Sequence, residues 1–108
     1  MSLQEKIRNN ELIDYLGWDK ISKKEVLSED FIEEFQDRVN WLNISCNQKL
    51  SEEFIEKFKD KINWKYIWIN QKLSEKFIEK FKDKARWDFI FKHQKLSEEF
   101  IIKYKDNT

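Results

Sequence analysis

Several residue types that shape most small domains are scarce in this sequence. It has no proline and one glycine in 108 residues, so irregular loops and hairpins lack the residues they usually need. No apolar run approaches the ~20 residues of a membrane span, and the first residues carry no apolar signal-peptide core. We therefore expect no membrane association and a cytoplasmic protein. The single cysteine, Cys46, fits a reducing compartment because it cannot form an internal disulfide.

The residues that most often carry catalysis are also scarce. His93 is the only histidine, and in a stack of helices we expect Cys46 to lie on the order of 20 Å from it. Zinc needs about four ligands, more than these two residues supply, and one glycine cannot build a phosphate-binding loop. The many carboxylates stand among lysines. We expect no catalytic, cofactor-binding or metal site, and a protein that is not an enzyme.

Charge is abundant but balanced. The 21 basic and 21 acidic residues give a net charge of zero, so no global field favours nucleic acid, membrane or an acidic ligand. Hydrophobic residues make up 40% of the chain and aromatic residues 16%, enough for a core. Glu, Lys, Leu, Ile and Phe dominate between short stretches of Asn, Ser and Gln, which predicts a domain that is nearly all helix.

The sequence repeats itself at a spacing of 23 residues. "KLSEEFIEKFKDKINW", residues 49–64, returns as "KLSEKFIEKFKDKARW", residues 72–87. Aligned on the leucine of this motif, the units run 27–49, 50–72 and 73–95, followed by a truncated C-terminal cap, 96–108. A degenerate copy, 1–26, keeps the spacing of Gly17, Trp18 and Ile21. We predict a single all-α domain, a short α-solenoid of two-helix units.

Each unit begins with a helix, called helix A. In the second unit Ser51 is the expected N-cap, and Phe54, Ile55, Phe58 and Ile62 form one apolar stripe. We expect about eleven residues of helix, ended by a residue that tolerates a left-handed conformation. Gly17, Asn40 and Asn63 stand at this point in successive units. Trp64 follows, and we expect it to cover Phe58.

A second helix, helix B, starts at the tryptophan of each unit. In the second unit Trp64, Ile67, Trp68 and Gln71 follow helical spacing over about two turns. Helices this short are below the ~12 to 15 residues that are stable alone in water, so neighbouring units must cover each apolar stripe. The recurring glutamine at the end of helix B admits two interpretations. It ties down the turn backbone, which we favour, or it offers a row of groups to a ligand.

The positions of helix B that vary between units suggest a binding face. The second and third units carry large apolar groups there beyond the stripe that completes the core, with lysines nearby, as in interface hot spots. Burial on all sides between two layers is the alternative, and both remain open. The candidate partner-binding residues are Lys65, Tyr66, Trp68, Ile69, Phe89, Phe91, Lys92 and His93.

Three further surfaces follow from the charges and the chain end. An acidic cluster in the first unit is a candidate second contact with a basic partner: Glu29, Asp30, Glu33, Glu34 and Asp37. Single-stranded nucleic acid is a less favoured partner, through aromatic groups beside Lys80, Lys82, Lys84, Arg86 and Lys92. The last unit has Ile102 where earlier copies have glutamate, so its end either closes the array or packs on a second copy as a homodimer.

The motif "LSEEFIEKFxDxxxW", residues 50–64 and nearly so 73–87, resembles short helical repeats of phages and large DNA viruses. The resemblance covers roughly residues 18–108. The two-helix unit also resembles the leucine-rich variant repeat in length, although the tryptophan and paired phenylalanines depart from it. The viral resemblance implies a small inhibitor that occupies a host defence protein in the host cytoplasm, as anti-CRISPR proteins do.

Overall fold

The computed structural model describes residue 5, residues 13–24 and residues 26–107. All regular secondary structure in these residues is helical, which confirms the predicted all-α array of 23-residue units. Residues 1–4, 6–12 and 25 of the degenerate copy, and Thr108, lie outside the described residues. The α-helices are α1 (Ile13–Lys24), α2 (Glu29–Glu34), α3 (Trp41–Asn47), α4 (Glu52–Lys57), α5 (Trp64–Asn70), α6 (Glu75–Lys80), α7 (Trp87–His93) and α8 (Glu98–Tyr104). Short 3₁₀ turns follow α6 (Lys82–Lys84) and α8 (Lys105–Asn107).

The units stack in chain order into an elongated array of 52 × 21 × 19 Å. Helix α1 and the three helices that begin at tryptophan form a continuous column, with α1 against α3, α3 against α5 and α5 against α7. Helices α2, α4, α6 and α8 are the A helices of successive units, and α3, α5 and α7 are the B helices. None of the described helices is long and apolar enough to cross a bilayer.

Helix A is shorter than the eleven residues predicted. Helix α4 spans six residues, from Glu52 to Lys57, and Ser51 caps it by accepting a hydrogen bond from the Phe54 N–H. The helix ends because Phe58 leaves the helical region, at φ −108° and ψ 29°, and the Lys61 N–H then bonds the Phe58 carbonyl three residues back. This tighter turn still buries Phe58 and Ile62, as the stripe predicted.

The asparagines between the two helices do not end helix A in a left-handed conformation, and that prediction was wrong. Asn40 and Asn63 are extended, with φ of −86° and −96°, and each is the N-cap of the following helix B. The Asn63 side chain accepts a hydrogen bond from the Tyr66 N–H. Among the three, Gly17 alone has the predicted positive φ, 71°, at the break in α1.

The tryptophans join consecutive units. We predicted that Trp64 would cover Phe58 of its own unit, and this prediction was wrong. Trp64 packs on the phenylalanine pair of the next unit, with its ring centroid 5.1 Å from Phe81 and 6.3 Å from Phe77. Its indole N–H donates to the Lys59 carbonyl in its own unit. Trp18, Trp41 and Trp87 make the equivalent contacts. Each tryptophan is therefore anchored in one unit and covers the next.

The recurring glutamines are structural, as favoured. Buried Gln71 accepts a hydrogen bond from the Leu50 N–H at 3.1 Å and donates to the carbonyls of Ser45 and Gln48. The two carbonyls belong to the end of helix B in the preceding unit and Leu50 is the first residue of the second unit, so the glutamine fastens the end of its own unit to the junction with the preceding one. Gln48 and Gln94 make corresponding bonds. Because such buried backbone groups have no water to bond, each glutamine satisfies groups that would otherwise destabilise the stack.

Candidate functional site

The variable positions of helix B lie partly on the outer surface of the column. Lys65, Lys92 and His93 are exposed, while Tyr66, Ile69, Phe89 and Phe91 are half-buried. In the first unit the equivalent of Tyr66 and Phe89 is Asn43. Six of these residues with the neighbouring Arg86 form what we call the aromatic–cationic face. Its members are Lys65, Tyr66, Ile69, Arg86, Phe89, Lys92 and His93.

Trp68 does not belong to this face, and its predicted exposure was wrong. Its side chain has 0% solvent exposure, and its indole N–H donates to the Lys84 carbonyl of the next unit at 3.0 Å. Ser22 and Ser45 occupy the same position in earlier units. Each of those hydroxyls accepts a hydrogen bond from a backbone N–H, of Asn40 and Asn63 respectively. This position faces the next unit rather than solvent.

Phe91 also points toward the end of the stack rather than along the outer surface. It occupies the position of Trp68 in the third unit and packs on Trp87, with ring centroids 5.7 Å apart. Phe91 is half-buried, as Tyr66 and Phe89 are, but it stands at the repeat position that faces the next unit. We therefore leave it out of the aromatic–cationic face.

The aromatic–cationic face links the second unit to the third. The Lys65 ammonium lies 5.5 Å from the Tyr66 ring centroid and 5.6 Å from that of Phe89. The Arg86 guanidinium lies 4.8 Å from the Phe89 centroid, and the His93 ring is 6.5 Å away from it. Cation–π contacts of this kind hold the cations beside the rings without neutralising them.

Most of the predicted acidic surface makes contacts within the stack. Both carboxylate oxygens of Glu29 accept hydrogen bonds from Ser51, from its N–H and its hydroxyl. Glu33 pairs with Lys57, and Asp37 with Lys61 at 3.2 Å, in the next unit. The repeat thus uses these three carboxylates to join neighbouring units, and a contact of the cluster with a basic partner stays a prediction. Asp30 and Glu34 are exposed.

The described residues contain no group of three or more His, Cys, Asp or Glu side chains placed to hold a metal ion. Burial raises the pKa of the Cys46 thiol, against a smaller opposing effect of Lys23. The thiolate, which is the nucleophilic form, is therefore disfavoured at neutral pH.

A row of lysines escaped the sequence-based prediction. Lys49, Lys72 and Lys95 follow helix B in the three full units, and we call them the lysine row. All three are exposed, and within the described part of the chain none has a hydrogen bond or ion pair. The signal in the sequence was the recurrence of these lysines in "QKLS". Residues that are identical in the three full units suggested a structural role, which the neighbouring glutamines do have.

The C-terminal end of the array is more apolar than the units before it. Ile101 is 43% exposed, whereas its counterparts Ile32, Ile55 and Ile78 are fully buried by the unit that follows. Ile102 is 59% exposed. The two isoleucines form a small apolar surface on α8, which keeps both predicted roles, cap and homodimer contact, as proposals.

No protein-family model, curated protein or solved structure matches the chain. The functional inference therefore rests on the geometry of the array.

Proposed function

We propose that the chain is a non-enzymatic protein-interaction module that binds its partner through the aromatic–cationic face. The observation that supports this most strongly is the placement of Tyr66 and Phe89 on consecutive B helices, half-exposed and flanked by Lys65 and Arg86. Neither ring is fully buried, and the first unit stacks with Asn43 at this position. Aromatic and arginine side chains in such clusters carry most of the binding energy at protein interfaces.

The partner we propose is a host protein, and specifically one of host defence. The resemblance of residues 50–64 to repeats of phages and large DNA viruses supports this choice. A chain of this size would then act by occupying its target in the cytoplasm of the host, in the manner of an anti-CRISPR inhibitor.

The repeat itself supplies a matched pair of variants for the test. Tyr66→Asn with Phe89→Asn places the residue of the first unit at both positions, so the array should remain folded. Glu53→Lys places the residue of the third unit, Lys76, on the opposite side, on helix A. Capture from host lysate followed by mass spectrometry compares both variants with the wild type.

We expect the asparagine variant to lose the captured protein and the Glu53→Lys variant to retain it, with both showing cooperative thermal unfolding. The purified partner should then compete with untagged wild-type chain but not with the asparagine variant. Equal capture by the asparagine variant and the wild type would contradict the proposal.

Single-stranded nucleic acid is the second candidate, because two cationic side chains, Lys65 and Arg86, lie beside Phe89. To bind a single strand, the rings of the aromatic–cationic face would have to stack on bases. Arg86 and Lys65 already lie over the Phe89 ring. Fluorescence anisotropy with an oligodeoxythymidine at rising salt decides the matter. If the logarithm of the binding constant falls steeply with the logarithm of the salt concentration, the result would favour nucleic acid over protein as the partner.

A further inference from the structure

The two long sides of the array differ in how their charges are compensated. On the helix A side, a glutamate of each unit pairs with a lysine of the next. The pairs are Glu33–Lys57, Glu56–Lys80 and Glu79–Lys103. These ion pairs neutralise the A side locally, so a neutral chain can still be strongly charged elsewhere.

The helix B side has no such compensation. Segments 41–50, 64–73 and 87–96, which comprise the B helices and the turns after them, contain five lysines and one acid, Asp88. Asp88 lies 3.7 Å from Arg86, outside these segments. The lysines on this side therefore keep a net positive charge that no described side chain neutralises.

Two of the carboxylates near the lysine row along the chain are already engaged. Glu52, three residues after Lys49, and Glu75, three residues after Lys72, each use both oxygens to accept hydrogen bonds from the N-cap serine of the next unit. A lysine that recurs in every unit without a partner is therefore not explained by the scaffold, in contrast to the serines and glutamines beside it.

A hollow lies between two members of the row. It has a volume of about 350 Å³ and is lined by Lys49, Leu50, Ser51, Asn70, Gln71 and Lys72. Leu50 gives it an apolar wall, and the two lysines stand on either side of it. Such a concave stretch suits a side chain of a segment that runs along the row.

We propose that the lysine row, with Lys65 and Lys92, binds an extended acidic segment of the partner protein. This inference rests on the proposed function and names the chemistry of the partner. Stacked helices lie roughly 8 to 10 Å apart, and an extended polyproline II segment rises about 3.1 Å per residue with three residues per turn, so that every third side chain points the same way. One unit thus corresponds to about three residues, and the segment has a carboxylate at every third position, one for each lysine of the row. Electrostatic complementarity then fixes its register on the array.

A nucleic acid strand is the less suitable polyanion. Sequence-tolerant binding of single strands depends on exposed rings on which bases stack, and Tyr66 and Phe89 are half-buried with cations beside them. The lysine row itself has no aromatic neighbour at Lys49, where the helix B surface carries Asn43 and Cys46. A carboxylate needs only the ammonium group.

Labelled peptides of about twelve residues test the inference directly by fluorescence anisotropy, since one such peptide spans roughly four units. The probe has glutamate at every third position, separated by serine and threonine. Its controls are a peptide of the same composition with the glutamates consecutive, one with lysine in their place, and oligodeoxythymidine of equal charge. The protein variants are Lys49→Gln/Lys72→Gln/Lys95→Gln and, as the matched control on the A side, Lys59→Gln/Lys76→Gln/Lys82→Gln, three exposed lysines that form no ion pair with any described residue.

We expect the spaced acidic peptide to bind the wild type best, and about tenfold more weakly to the row variant, since three exposed ion pairs are lost. The control variant should bind normally and both variants should melt with the wild type. Equal binding by the row variant, a loss of binding that accompanies a lower melting temperature, or tighter binding of oligodeoxythymidine would each overturn the inference. If the captured partner is lost with Tyr66→Asn/Phe89→Asn but kept by the row variant, the proposed function stands and this inference falls.

Discussion

Replacing Trp68 by the serine of the two earlier units should be strongly destabilising, although the array tolerates serine at Ser22 and Ser45. The reason lies in the next unit. Seventeen residues after Ser22 and Ser45, in the next unit, stand the buried residues Val39 and Ile62. The residue at the same distance after Trp68 is the smaller Ala85. The large side chain on one side of the interface is therefore matched by a small one on the other.

The cost can be estimated from burial. Trp68 is fully buried, and truncating such a tryptophan costs about 3 to 5 kcal/mol, because the transfer free energy is lost and a cavity remains. In the wild-type background, Ala85→Ile alone should cost about 1 to 3 kcal/mol through overpacking against the indole. Combining Trp68→Ser with Ala85→Ile and Arg86→Asn rebuilds the interface that Ser45, Ile62 and Asn63 already form.

Urea unfolding followed by circular dichroism provides the assay for the single, double and triple variants. We expect the combined variant to be more stable than Trp68→Ser alone, with a coupling free energy above ~1 kcal/mol between the two sides of the interface. Arg86→Asn should add the side-chain cap that Arg86 lacks at α7. Effects that add within about 0.5 kcal/mol would refute the matched-volume explanation.

Three further predictions concern the joints and the end of the array. Gln71→Leu should cost about 2 to 4 kcal/mol in urea unfolding, because the buried Leu50 N–H and two carbonyls lose their partner; a cost below ~0.5 kcal/mol would contradict its role. Hydrogen bonds from Lys103 and then Tyr104 lower the pKa of Glu79 below its ordinary 4.5, so its stabilising effect is present above that value and lost as the pH falls through the lowered pKa. The melting temperature of Glu79→Gln should consequently fall less than that of the wild type on acidification, and parallel curves would disprove this. Wild-type chain should self-associate weakly in concentration-dependent light scattering and Ile102→Glu should not, whereas a wild type that is monomeric throughout the range would exclude the α8 contact.

The architecture was predictable because the same sequence signals for helix caps and apolar stripes recur in each unit. The Ser51 cap, the stripe of Phe54, Ile55 and Phe58, and the role of Gln71 all follow from residue type and spacing. Asn63 was assigned to the wrong helix because asparagine suits both a left-handed helix end and an N-cap. Its backbone angle decides between them, and the sequence does not contain that angle.

The binding face was predictable only in part. Counting apolar residues on helix B indicated that some would not be fully buried, and Tyr66 and Phe89 are half-buried. It could not tell which, because Trp68 is buried by a neighbouring unit and not by its own helix. The sequence did contain a signal that Trp68 is buried: a small residue is paired with a large one both in Ser45 with Ile62 and in Trp68 with Ala85. Using that signal requires knowing which positions face each other across the stack.

Amide hydrogen exchange of the protein, alone and bound to its captured partner, tests the central claim most directly. The account predicts slower exchange in α5, α7 and the turns at Lys72 and Lys95, with helices α4 and α6 on the opposite side unchanged. Protection confined to α4 and α6, with none in α5 and α7, would contradict it.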